Sequence, residues 1–126
     1  MSLEIISTPN APAPGGHYSQ AIRVGNTVTT AGQVGLDPVT GEKPDTFAGE
    51  VRQSLANLKA VLEAAGSSLD LVIKTTCFIT DVDNFAEFNA IYAEVFGDHR
   101  PGRSTFGVAL AGGFTFEIEA TALVAE

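Results

Sequence analysis

The chain reads as an α+β domain, a sandwich in which two helices pack on one face of a mixed β-sheet in the order β-β-β-α-β-α-β-β. Three observations carry that reading. Two segments, 47–65 and 85–96, repeat apolar residues at three- and four-residue steps, the spacing of one helix face. The segments around them are short, rich in β-branched residues and bounded by Gly, Pro, Asn and Asp. The last of them, Thr115 to Val124, alternates residue by residue, as a strand with one buried face must. Two apolar helix stripes and a sheet need each other to leave water, which gives two layers. At 126 residues this is one domain, 1–126. Residues 1–10 are its expected flexible part, and Met1-Ser2-Leu3 is a candidate cloning remnant.

Taken in order, Glu4 to Ser7 is a short strand candidate and Pro9 to Pro14 breaks regular structure. Residues 15–20 lead into a hairpin with arms 21–24 and 27–30, turned at Gly25-Asn26. Ala31 to Gly35 either continues the second arm or bends it at the glycines. Asp37 to Glu42 is loop chemistry. The first helix, about 47–65, lines up Val51, Leu55, Leu58, Leu62 and Ala65. Asp45 or Thr46 caps its start, and Gly66 suits its left-handed stop. Leu71 to Thr80 is a β-branched central strand, and Asp81 to Asn84 turns the chain. Asn84 with Glu87 is the capping signature of the second helix, 85–96, whose stripe is Phe85, Phe88, Ile91 or Tyr92, and Val95. A strand is expected from Thr105 to Leu110, a loop at 111–113, and the closing strand after it. Thr and Ala dominate the second sheet face, which suits burial against another copy of the chain.

A net charge of −8 and a pI near 4.5 argue against nucleic acid as the main partner, because phosphate binding needs clustered cations. No apolar run is long enough to span a bilayer, so no membrane partner is expected, and the N-terminus does not read as a signal peptide. The single cysteine, Cys77, fits a reducing cytoplasm.

The most informative stretch is Pro101-Gly102-Arg103-Ser104. Pro101 ends what precedes it, Gly102 admits close approach, and Arg103 presents a planar fork that matches a carboxylate. On spacing alone, a surface arginine in a salt bridge is the commoner outcome. Glu117 and Glu119 share one face of an apolar strand, usually a solvated face. A partly buried carboxylate, however, can have its proton affinity tuned for acid/base work. His17, His99 and Cys77 lack metal-ligand spacing, and Cys77 reads as an inert core residue. No phosphate-binding glycine loop points to a dinucleotide or nucleoside triphosphate, and with metal-ligand spacing lacking as well, neither a cofactor nor a metal is expected.

Several motifs together resemble one family. They are Tyr18-Ser19-Gln20-Ala21-Ile22, Gly25-Asn26, Ala31-Gly32-Gln33, Pro38-x-Thr40-Gly41-Glu42, Gln53-Ser54-Leu55-x-Asn57-Leu58, Asp81 with Phe85 and Asn89, Pro101-Gly102-Arg103-Ser104, and Phe116-Glu117-Ile118-Glu119-Ala120. This set resembles the RidA (YjgF) family of reactive-intermediate deaminases, from about Ala11 to Ala125. The resemblance implies a chorismate-mutase-like fold assembled as a homotrimer, with ligand clefts between subunits. It also implies hydrolysis of short 2-imino acids, such as 2-iminobutanoate and 2-iminopropanoate, to 2-keto acids and ammonia. Carried over by position, Arg103 would clamp the substrate carboxylate and Glu117 would orient or activate water. Tyr18, Gly32, Asn89 and Thr105 would contribute to the cleft, and the clamp would set a cation beside Glu117 and help keep it ionised.

The sequence departs from the family pattern in five places. Ala31 stands where many active members have Ser, Thr105 where some have Cys, and His17 and Gly102 replace a usual Pro and Ala. Ala111-Gly112-Gly113 replaces a segment that begins with Pro. The lost serine hydroxyl bears on substrate range more than on activity. Two alternatives stand beside the enzyme: a non-catalytic protein that binds small carboxylates such as keto acids, and an endoribonuclease or translation inhibitor, which the acidic charge disfavours.

Overall fold

The computed structural model describes residues 2–126, and Met1 lies outside them. Seven strands, β1 (Leu3–Ile6), β2 (Ala21–Val24), β3 (Thr27–Thr30), β4 (Gln33–Val34), β5 (Val72–Ile79), β6 (Gly102–Gly107) and β7 (Phe116–Leu123), form one sheet. Its order is β1-β2-β3-β7-β5-β6, with β4 also paired to β7. Only β5 and β6 run parallel; the other pairs are antiparallel. The helices α1 (Phe47–Ala64) and α2 (Phe85–Phe96) cover one face, so the expected two-layer α+β fold is the observed one.

The helix-side layer is dry because the alternation of β7 matches the apolar stripe of α1. Phe116, Ile118, Ala120 and Ala122 are buried, and Val51, Leu55, Leu58 and Leu62 meet them from the helix. Thr46 caps α1 by accepting from the Gly49 N–H (3.0 Å), and Gly66, at φ +83°, makes the left-handed exit. The N-terminal segment contributes edge strand β1 to the region expected to be flexible. It is then pinned by Gln20, whose buried amide accepts from the Thr8 N–H and donates to the carbonyls of Thr8, Ala11 and Pro12.

Four details differ from the sequence reading. First, β6 begins at Gly102 instead of Thr105, because parallel pairing with β5 from Lys74 onwards recruits the residues directly after Pro101. Arg103 therefore lies inside the strand. Second, the second arm of the hairpin both continues and bends. β3 and β4 pair with the same strand, β7, and are separated by Ala31-Gly32. Third, the Asn84 side chain caps nothing; Asp81 instead accepts from the Asp83 N–H (2.9 Å) at a short 3₁₀ turn that feeds α2. Fourth, the alanines of β7 face the helices. The open sheet face carries threonines together with Ile5, Ile22, Phe78, Phe106 and Leu123.

Candidate active site

The strand registers decide where the candidate residues point. Arg103 pairs with Thr75 and Thr105 with Cys77, and Thr75 and Cys77 are buried under the helices. Arg103 and Thr105 therefore face the helix side. Glu117 pairs with Phe78 and Glu119 with Thr76, on the opposite, open face. Arg103 and Glu117 thus lie on opposite faces of one sheet and line separate clefts.

Arg103 is held by α2. Its Nη1 donates to Asn89 Oδ1 (2.9 Å), and its guanidinium carbon lies 4.7 Å from the Tyr92 ring centroid and 5.1 Å from that of Phe88. Phe85 stands 5.6 Å away. Aromatic faces attract the cation without consuming its N–H donors. Among the described residues the ion pair found is Arg52–Glu94, so Arg103 is not engaged by a carboxylate. The cleft beside it, about 460 Å³, is lined among others by Asn89, Tyr92, Phe96, His99, Arg100, Pro101 and Arg103. The stripe Phe85, Phe88 and Tyr92, which the 3–4 spacing marks as core, also serves as the seat of the guanidinium. His99 is half-buried, and its Nε2 lies 2.7 Å from the Val72 carbonyl oxygen. Asn89 thus joins Arg103, while Tyr18 and Gly32 do not. Cys77 is buried, and that burial pushes its thiol up to about 12, so it is no nucleophile.

Glu117 sits in the second cleft, about 340 Å³, with Tyr18, Ala31, Gly32, Val34, Ala111 and Phe114. The carboxylate fills the space over Gly32: a Cβ there would collide with its Oε2 and come within 2.7 Å of its Cδ. Half-burial, and secondarily the neighbouring Glu119, push the Glu117 carboxyl above the usual glutamate range. Among the described residues of one chain no cation stands beside Glu117, because its own Arg103 is across the sheet. Tyr18 is exposed, and its hydroxyl oxygen accepts from the Gly15 N–H (3.2 Å).

Helix α1 braces both walls of this cleft, through residues that the sequence analysis did not single out for the site. Asn57 Nδ2 donates to the Val34 and Leu36 carbonyls, both at 2.9 Å, and fixes β4. Buried Glu50 accepts from the Thr115 N–H (2.9 Å) and Oγ1–H (2.7 Å), two residues before Glu117. Glu50 and Asn57 are polar residues among the buried positions of the α1 helical repeat, a signal legible in the sequence. No cluster of metal-ligating side chains occurs among the described residues, and no helix there is long and apolar enough to cross a membrane.

Comparison with known proteins places this frame. The family described as Endoribonuclease L-PSP matches residues 8–124. A 2-iminobutanoate/2-iminopropanoate deaminase of Escherichia coli K12 is 44% identical, covering 94% of this chain and 95% of its own. The crystal structure of the YjgF gene product of E. coli superposes with a TM-score of 0.92 at 44% identity, over 95% of this chain and 98% of that one. The E. coli TdcF structure with bound serine gives 0.93 at 41% identity, over 97% and 99%. The chain belongs to the Endoribonuclease L-PSP family, the RidA/YjgF group.

Proposed function

We propose that this family member is a 2-imino acid deaminase whose site is completed by a second copy of the chain, in a homotrimer. The observation that carries the reading is the pair of unspent groups: a seated guanidinium with no carboxylate and a half-buried carboxylate with no cation, on opposite faces of one sheet. A neighbouring subunit laid on the open face would bring Arg103 of one copy to Glu117 of the next. The exposed Ile5, Phe106 and Leu123 on that face favour such burial. The name of the 44% identical E. coli relative supports the reaction, and the serine in the TdcF structure supports a site for a small amino-acid-like carboxylate.

In this site the arginine fork binds the substrate carboxylate and holds C2 against a water on Glu117. The water oxygen bonds to C2 of the protonated imine while Glu117 takes the water proton, giving an amino alcohol. Glu117 returns that proton to nitrogen and the C–N bond breaks. The hydroxyl proton leaves with the ammonia as ammonium, and the keto acid and an ionised Glu117 remain. An imine carbon is already electrophilic, so orientation and one acid–base group are sufficient chemistry.

The family's name points to RNA cleavage, but a net charge of −8 opposes phosphate binding. To test the reading, the protein is added to a threonine dehydratase with semicarbazide competing for the released imine. Keto-acid release should rise at the expense of semicarbazone. No acceleration, or equal acceleration by Arg103→Ala, would end the deaminase assignment; tight 2-oxobutanoate binding without turnover would favour the carboxylate-binding alternative.

A further inference from the structure

We infer that Thr75 is a positioning residue for the guanidinium: its buried hydroxyl latches Tyr92, so that the tyrosine ring is held as the floor beneath Arg103 and sets the direction of the fork. This role rests on Arg103 being the carboxylate clamp of the proposed deaminase, and it adds what aims that clamp.

Thr75 pairs in register with Arg103, so the two side chains stand side by side on the helix face of neighbouring strands. Thr75 is wholly buried, and the next residues of β5 on that face, Cys77 and Ile79, are buried too. A hydroxyl in such a layer is costly unless it is hydrogen-bonded. Its partner is the Tyr92 hydroxyl, which reaches it from α2 at 2.8 Å; Cys77 Sγ, at 3.9 Å, adds only a weak contact. Tyr92 in turn carries its ring to Arg103. Of the three rings around the guanidinium carbon it is the nearest, 4.7 Å from centroid to carbon. It stands one helical turn after Asn89, which accepts from Nη1 of the same guanidinium. Phe96, one turn further on, stacks on the ring with centroids 4.5 Å apart and 29° between planes. The ring is thus held on its face by Phe96 and at its tip by Thr75.

Stability does not account for the pair. Valine has the shape of threonine and phenylalanine that of tyrosine, and replacing both partners of a buried hydrogen bond by apolar groups of the same shape is nearly neutral or stabilising. What the two hydroxyls add is direction. The hydrogen bond fixes where the ring ends, and a cation over an aromatic face follows the ring. Phe85 and Phe88 have no polar tip, so they attract the guanidinium without aiming it. Thr75 and Tyr92 are both buried within one chain, so the latch is the same with or without a second copy over the cleft.

The test measures the Kd for 2-oxobutanoate by calorimetry, the deaminase rate and Tm in Thr75→Val, Tyr92→Phe, the double variant and Thr75→Ser. Each single apolar variant leaves one buried hydroxyl unpaired, so Tm should fall and Kd should rise about 3- to 10-fold. The double variant should regain a Tm near the parental one yet bind no better than either single, because all three lack the same hydrogen bond. Thr75→Ser keeps the hydroxyl and loses a methyl, so its Tm should fall while Kd stays within about twofold of the parent. Parental affinity in the double variant, or a Kd that follows Tm through the series, would overturn this role and leave the deaminase reading standing. Keto-acid binding with the expected pattern but no turnover by the parent would overturn the deaminase reading and leave the role of Thr75 standing. A parent that neither binds nor turns over would overturn both.

Discussion

The two faces of the sheet treat their charged residues in opposite ways. On the helix side, Arg103 is preorganised: one carboxamide and three aromatic rings hold it, and none of them neutralises it. On the open side, Glu117 is crowded: half-burial and Glu119 disfavour its charge, and the bare Gly32 makes room for it. Each group carries an electrostatic debt that its own chain leaves unsettled. An isolated domain optimised for stability would have paired them, since a buried charge is costly unless it is matched. In the proposed assembly a partner subunit supplies the missing counter-charge to each.

The sharpest way to break that comparison is complementation. Arg103→Ala and Glu117→Gln should each lower kcat/KM by about 10²–10³-fold, the effect of losing one preorganised charged group. When the two inactive proteins are unfolded, mixed and refolded together, random assembly gives about one interface in four with both native residues. About a quarter of parental activity should return. A mixture as inactive as its components would overturn the shared site proposed above.

Gly32→Ala probes the open side alone. The Gly32 backbone is not left-handed, so alanine is allowed there, and the nearest atoms it would meet are those of the Glu117 side chain. That carboxylate is half-exposed and can swing away, so Tm should barely move. Misplacing a reacting group by about 1 Å costs on the order of 10²-fold in rate. Unchanged kcat with a native melting curve would show that the position of Glu117 over Gly32 is irrelevant to the chemistry.

Much of this frame was legible in the residues. Alternation over Thr115–Val124 identified β7 because one face is buried, and the apolar spacing of 47–65 identified α1 to within one residue. The start of β6 was missed because Pro101-Gly102 has the local chemistry of a breaker, and only long-range pairing with β5 overrides it. Asn84 was misread because a preceding 3₁₀ turn capped by Asp81 satisfies that helix start. The largest omission was the opposite-face relation of Arg103 and Glu117. It depends on two registers, β5 with β6 and β5 with β7, and the intervening loop 108–115 hides both from any count along the chain.

On the helix side, Asn89→Ala removes the hydrogen bond that orients the guanidinium but leaves the aromatic seat. One such bond to a charged group contributes about 1.5–3 kcal/mol at most. Because the rings retain the cation, a rise in KM of about 10-fold with little change in kcat is expected. Asn89→Asp is the informative contrast: it would neutralise the fork and should weaken binding further. Improved binding in that variant would mean the arginine is not reserved for a substrate carboxylate.

The smallest effect is also the most direct reading of whether the two faces meet. In a single chain the Glu117 carboxyl titrates above the usual glutamate range because of burial and Glu119. A raised folded value means that its contribution to stability is fully present below the ordinary glutamate pKa and is lost as pH rises through the folded value. A partner's guanidinium would act in the opposite direction, favouring the carboxylate and making its contribution grow above the ordinary value. Carbon-detected NMR of the Glu117 carboxyl should therefore show a lower midpoint in the parent than in Arg103→Gln. In the Arg103→Gln background, adding Glu117→Gln should raise Tm at neutral pH, and the gain should vanish on acidification below the glutamate range. In the parent background the same substitution should lower Tm at neutral pH. Identical midpoints in the two proteins would mean that the two charges never share a site.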